Sequence, residues 1–204
     1  MTAMGLIDVK LDTSKLSQWA SELSQRGFRN ALRRAIDQSA RAARKVAIKA
    51  IAADIGVSVS RFKAATPKVI TTKAGDLSAR WTVGKMRIGI LDTAGATISR
   101  SGGLHASTHR LSGGGSTSLD VSKAFLVTTA SGGKFVAFRK GKERLPIKGI
   151  YAEHPATAMG QDGAAAQKIW KDTANRELAA RLPVEIQKAL VTEGLSPNTP
   201  DTGD

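Results

Sequence analysis

The sequence predicts an α+β chain in which an antiparallel β-sheet packs against a long N-terminal helix and a C-terminal helix, with a long Gly/Ser-rich inserted loop. Three observations predict it. Residues 28–54 and 161–192 place apolar side chains at helical spacings, the pattern of a helix with one buried side. Residues 123–151 alternate instead, two β-rich runs flanking a glycine turn. Residues 92–119 follow neither period and hold six glycines and ten serines or threonines.

Taken in order, residues 5–11 (GLIDVKL) alternate apolar and polar and suit a short strand. Asp12 or Thr13 then caps a first helix with Leu16, Trp19, Ala20 and Leu23 on one face, and Gly27 marks a break or cap. The long helix of residues 28–54 carries Phe28, Leu32, Ala35, Ile36, Ala43, Val46, Ala47 and Ala50 as its apolar stripe. That stripe is alanine-rich, so a partner helix can approach closely. Ser58 or Ser60 caps a short helix through Arg61, Phe62 and Lys63, which Thr66-Pro67 ends. Residues 69–72, 78–83 and 86–91 read as strands, the last two joined through Gly84-Lys85.

Residues 92–119 have no apolar period and little to bury. A structureless insert of this length inside a compact domain is uncommon, and the sequence reads either as a projecting arm that orders against neighbouring subunits or as a floppy loop. The sheet core follows at 123–151. Residues 124–129 form an apolar run, Ser131-Gly132-Gly133 supplies the turn, and Phe135, Ala137 and Arg139 alternate against Val136, Phe138 and Lys140. Pro146 cannot donate to a ladder and belongs on an edge or at a strand start. Residues 161–192 return to helix with Ile169, Trp170, Thr173, Leu178 and Leu182 on its apolar side; Pro183 either kinks it or opens a second segment. The domain expected is therefore 1–192, followed by a disordered acidic tail at 193–204.

Composition narrows the partners. Thirty-one lysines and arginines against 17 acids give a net charge of +14 over 204 residues, which implies an anionic partner without choosing among nucleic acid, acidic protein and anionic membrane. Aromatics make up only 4% of the chain, too few for a platform that stacks unpaired bases, so any nucleic acid is expected to be held by its backbone. No stretch approaches the roughly 20 apolar residues of a membrane span, and the N-terminus lacks a signal-peptide pattern, so a soluble protein is expected. The chain has no cysteine, which removes disulfides and thiolate chemistry.

The densest basic surface is on the long helix: Arg29, Arg33, Arg34, Arg41, Arg44, Lys45 and Lys49, with Asp37 the acid among them. It is either a solvated face or one that meets phosphates or a protein partner. A secondary patch, Arg139, Lys140, Lys142 and Arg144, follows the hairpin.

Tests for catalytic chemistry point away from an enzyme. His105 and His109 stand four apart, but the glutamate of the zinc-protease motif is missing and the flanking glycines argue against a helix. His154 beside Pro155 reads as a surface histidine. Gly113-Gly114-Gly115-Ser116-Thr117 lacks the lysine and spacing of a phosphate loop. The acids form no pair with the spacing of a two-metal or acid–base site, and no nucleophile elbow occurs. Neither cofactor, metal nor catalytic residue is expected.

The order of several segments carries a resemblance. AIDQSARAARKVAIKAIA in the basic helix, SVSRFKAA, the hairpin GKFVAFRKGKERLPIKGI and the terminal ARLPVEIQKAL together resemble the prophage minor tail protein Z family of long-tailed phages, over residues 5–190. Its most specific pieces are Arg144-Leu145-Pro146-Ile147 and Arg181-Leu182-Pro183 with Glu185 and Leu190. The resemblance implies a structural virion protein, a tail-completion subunit at the head-proximal end of the tail, present in the host cytoplasm during assembly. It implies a homo-oligomer, a hexameric ring, that joins the tail tube or tail terminator protein to the head connector proteins and helps position the genome end. Because DNA must pass a tail lumen, a uniformly basic lining would hold it. The charge is therefore expected to be uneven, with Arg29, Arg33, Arg34, Arg41 and Arg44 meeting acidic neighbours or a parked DNA end. The alternative is a non-sequence-specific DNA-binding protein acting through the basic helix face.

Overall fold

A computed structural model describes residues 3–4, 17, 19–21, 23–99, 103–110, 115–160 and 164–195. It is a mixed helical and antiparallel-sheet protein whose contacts divide it into two compact units. One comprises Gly5–Val46, Lys68–Trp81 and Trp170–Asp204; the other comprises Met1–Met4, Ala47–Pro67 and Thr82–Ile169. The strand read at 5–11 lies outside the described residues. Of the first helix, Ser17 and the stretch 19–21 are helical.

The first unit is built on two helices, α1 (Gln25–Ile55) and α3 (Ala165–Thr192), each of which also sends its remaining turns into the second unit. Small residues on α1 meet large ones on α3. Ala31 and Ala35 are buried with Leu178, Leu182, Ile186, Ala189 and Leu190, and Leu23, Trp19, Phe28, Leu32 and Ile36 close the cluster. The α3 stripe recurs every fourth residue, at Ala166, Trp170, Ala174, Leu178, Leu182, Ile186 and Leu190, all buried. That rhythm survives Pro183, which lies inside a continuous helix. The proline removes the donor for the carbonyl of Ala179, but Ala179 is exposed and water can take that place. On α1 the predicted stripe is displaced in part: Val46 is 42% exposed, whereas Ala40 is fully buried. Ser39 is buried too, its hydroxyl donating to the Ala35 carbonyl at 2.7 Å.

Gly27 does not break the helix. Ser24 is the cap of α1, its hydroxyl accepting the Gly27 N–H at 3.0 Å, so Gly27 is the third helical residue. A capping box would place a glutamate there to accept the N–H of the capping serine. Here that acid comes from the end of α3: Glu193 accepts the Ser24 N–H at 2.8 Å and also binds the Ser24 hydroxyl. A Cβ on Gly27 would overlap the Glu193 carboxylate. The two Ser24 bonds, that of the hydroxyl first, hold the Glu193 carboxyl below its usual range. Glu193 thus belongs to the fold, contrary to the expected tail at 193–204. Gly194, at φ 72°, follows it, and Leu195 N–H returns to the Leu190 carbonyl at 2.9 Å while Gly194 N–H reaches Val191 at 3.2 Å, a Schellman ending. Residues 196–204 lie outside the described residues.

The second unit holds the sheets. Strand β1 (Ala3–Met4) pairs with β2 (Thr82–Val83). Strands β3 (Thr97–Ile98), β4 (Leu104–Arg110) and β5 (Gly115–Val121) form one antiparallel sheet, and β6 (Ala124–Thr128), β7 (Lys134–Arg139) and β8 (Ile147–Ile150) form another. The hairpin reading of 123–151 matches β6 and β7, with Gly132 at φ 81° in the turn and Ala124 opposite Phe138. Burial along β7 peaks at its centre, where Val136 and Ala137 are both fully buried, so both faces of the middle strand are covered. Pro146 directly precedes β8, an edge strand.

Three readings are corrected here. Residues 92–119 contain strands and not an unstructured loop, because serine, threonine and histidine can satisfy a two-stranded ladder without an apolar period; Leu104 and Ala106 nonetheless alternate as buried against exposed His105. Residues 100–102 and 111–114 of the expected arm lie outside the described residues. Of the strands read at 69–72, 78–83 and 86–91, only Thr82–Val83 is regular. Ile70 and Arg80 make one isolated bridge, and 86–91 is an extended run with a Gly89–Tyr151 bridge that turns into a 3₁₀ segment at Ile90–Asp92. The short helix after Gly56 is present as a 3₁₀ segment, Val59–Ala65, with Phe62 buried beneath it. Helix α2 (Pro155–Gly160) follows the second sheet. His154, just before it, is half-buried, and its Nδ1 donates to the Met86 carbonyl at 2.6 Å, so it is a fixed strut between two segments and not a free surface group.

Candidate functional site

The seven basic residues expected to form one surface on the long helix do not share one face. At about 100° per residue they spread over roughly 200° of the helix, and the structure gives them different tasks. Arg33 is half-buried and donates from Nε to the Thr72 hydroxyl and from Nη2 to the Thr72 carbonyl, both at 3.3 Å. Arg34 donates from Nε to Glu185 of α3 at 2.8 Å. Glu185 is nearly buried and also accepts from Lys188 at 2.8 Å; the Lys188 bond first and the Arg34 bond second hold its carboxyl below the usual range against its burial. These cations fasten α1 to its neighbours.

Arg29, Arg41, Lys45 and Lys49 are exposed, Lys49 in the sheet-bearing unit. Arg44 is half-buried, its guanidinium 5.9 Å from the centre of the Trp81 ring, and Trp81 stacks on Trp170 with centroids 5.1 Å apart. Both indoles are buried. Arg44 therefore rests on an aromatic pair that sets its position, a cation–π contact.

Arg41 and Arg44 face a segment that sequence reasoning assigned only to a strand. With Lys68, Val69 and Thr71 they line a concavity of about 420 Å³. Its second wall is pinned at Thr72, whose N–H donates to Asp37 Oδ1 at 2.8 Å and whose carbonyl and hydroxyl accept from Arg33. Further along, the Ile70–Arg80 bridge and a turn at residues 73–76 brace the same wall. Asp76 in that turn accepts the Ser78 N–H at 2.9 Å, and its contacts with Ser78, side chain and backbone, hold its carboxyl below the ordinary range. Asp37, the acid expected to oppose the basic helix, is thus engaged by backbone. Neither Arg41 nor Lys68 forms an ion pair among the described residues.

Lys68 and Trp81 were not among the predicted site residues. Nothing local marks Lys68. Trp81 had a signal, since Ala79, Trp81 and Val83 alternate as buried positions against Ser78, Arg80 and Thr82. The secondary patch lies in the other unit: Arg139 ends β7 with its guanidinium 4.8 Å from the Phe125 ring, and Lys140, Lys142 and Arg144 occupy the exposed link to β8.

A second, smaller concavity of about 200 Å³ lies at the start of α1, lined by Ser24, Arg26, Asn30, Arg34 and Glu193 among others. The Glu193 carboxylate already sits on that helix end, so the anion position there is filled from within the chain. Among the described residues no group of three histidines or acids is arranged to hold a metal, and no helix is long and apolar enough to cross a membrane. Comparison with protein-family models, curated proteins and solved structures returns no significant match.

Proposed function

We propose that the chain is a structural virion subunit, a minor tail or tail-completion protein. Copies of it form a hexameric ring at the head-proximal end of a phage tail, between tail tube or terminator and head connector. The order of the motifs supports this reading, and one observation carries it. Arg144-Leu145-Pro146-Ile147, the most specific of those motifs, leads directly into the edge strand β8, with Leu145 69% exposed before it and Tyr151 42% exposed after it. An edge strand offers unpaired backbone donors and acceptors to which a neighbouring chain can add a strand. Electron microscopy of the purified chain, alone and with a tail-tube protein, tests the assignment. Closed six-fold rings, free or capping tube ends, are expected; a chain that stays monomeric in both settings rules the reading out.

The second reading, a non-sequence-specific DNA-binding protein, is favoured by the exposed Arg29, Arg41, Lys45 and Lys49. It differs in where the chain acts, since such a protein binds DNA as a free monomer and needs no tail partner.

A further inference from the structure

We infer that Arg41, Arg44 and Lys68 form a discrete site for nucleic-acid phosphodiesters. The inference rests on the DNA-contact part of the reading above and gives that contact an address. Three cations converge on one concavity whose other lining residues, Val69 and Thr71, carry no charge. Elsewhere on the same helix a cation is neutralised within the chain, as Arg34 is by Glu185. Here the nearest acid along the helix, Asp37, accepts the Thr72 N–H, and Arg41 and Lys68 have no ion-pair partner among the described residues.

The walls are also set in advance. Arg44 is seated on Trp81, Thr72 is clamped to α1 by Asp37 and Arg33, and Lys68 follows Pro67 on that clamped segment. Ordering the cations beforehand reduces what binding must spend on side-chain entropy.

The chemistry of the ligand follows from what the site lacks. A pocket for free phosphate surrounds it with backbone N–H donors at a glycine-rich loop or helix start. This site is open and offers side-chain cations from two walls, with Arg41 and Arg44 three residues, or about 4.5 Å of rise, apart on the helix. That arrangement suits a backbone passing by. Trp81 and Trp170 are buried, so no indole is presented for stacking on unpaired bases. The contact is therefore to phosphates and indifferent to sequence.

The test is anisotropy of a labelled short DNA duplex titrated with the full chain across a salt series, using Arg41→Gln, Lys68→Gln and the double variant. The control is Arg29→Gln with Lys45→Gln, which removes the same charge elsewhere on α1. Each site substitution is expected to lower affinity roughly tenfold near 0.1 M salt and to reduce the salt slope by about 1, equally for unrelated sequences. If the wild-type chain binds no duplex even at low salt, the DNA contact itself fails. If it binds but the control loses as much as the double variant, DNA contact stands and the discrete site is overturned. Inorganic phosphate is the third arm: weak competition, in the millimolar range, is expected, and tight uptake of free phosphate with displacement of DNA would overturn the phosphodiester assignment.

Discussion

Two stretches of the same basic helix put their arginines to opposite uses. At its start Arg33 and Arg34 are consumed by the fold, one clamping the Thr72 backbone and the other meeting a buried carboxylate on α3. Two turns later Arg41 and Arg44 stand over a concavity with Lys68 and no acid in its lining. All four look alike as letters. What separates them is what the rest of the chain brings to each: the Thr72 backbone and hydroxyl to Arg33, the Glu185 carboxylate to Arg34, and a concavity without an acid to Arg41 and Arg44. Total charge therefore says little about how many cations remain for a partner, and position against the second helix says a great deal.

That contrast can be broken most severely at the apolar seam beneath the structural arginines. Ile186→Ala empties a fully buried position facing Ala31 and Ala35, and about 2–5 kcal/mol of stability should be lost in urea unfolding. Arg41→Gln, on the stretch that lines the concavity, should stay within about 0.5 kcal/mol of wild type. If both variants unfold alike, the division of labour proposed for α1 is wrong.

Glu185→Gln is the next largest. It removes the buried carboxylate that both Arg34 and Lys188 hold, and roughly 1–3 kcal/mol is expected from the lost charged bonds. Its pH dependence has a definite sign. The folded-state pKa of Glu185 lies below the unfolded value of 4.5, so its contribution is complete above that pH and is lost as the pH falls through the lower folded value. Acid titration of wild type against Glu185→Gln, followed by circular dichroism, should show the two curves converging below pH 4.5. Curves that run parallel would place the effect in packing and not in charge.

The smallest effect is the most diagnostic. Alanine for glycine inside a helix ordinarily gains about 1 kcal/mol. At Gly27 the added Cβ displaces the Glu193 carboxylate from Ser24, so the gain should be cancelled. In a Glu193→Ala background the clash is gone, and thermal melts should then show Gly27→Ala as stabilising. Equal melting shifts in both backgrounds would mean that Glu193 does not complete the cap.

How much of this was readable beforehand depends on how local the cause is. The β6–β7 hairpin was legible because its turn residues and its apolar runs adjoin, and the Val59–Ala65 turn because Pro67 follows it, although Ser58 makes no side-chain cap bond and Ser60 lies inside the turn. The α1 stripe was legible from its period, although Val46 and Ala40 exchanged places. The β4–β5 ladder was hidden, since polar strands carry little apolar alternation and resemble loop composition. Met86 to Leu91 erred the other way, an alternating run that makes one bridge, Gly89 to Tyr151, among the described residues. The site was half legible. Arg41 and Arg44 stand out on any helical plot, but Lys68 joins them only because Thr72 is clamped to Asp37 and Arg33, a contact spanning 35 and 39 positions. Ser24 and Glu193, 169 positions apart, are further still from anything a local pattern contains.

The stacked indoles have an optical side as well. Two of the chain's three tryptophans form the Trp81–Trp170 pair, and Arg44, a wall of the concavity, lies against one of them. Two indoles that close couple their transitions, so the folded chain carries its own chromophore dimer next to the cationic surface. Anything that draws Arg44 away from Trp81 alters the field on that dimer, and its near-ultraviolet signal registers the event without any added label.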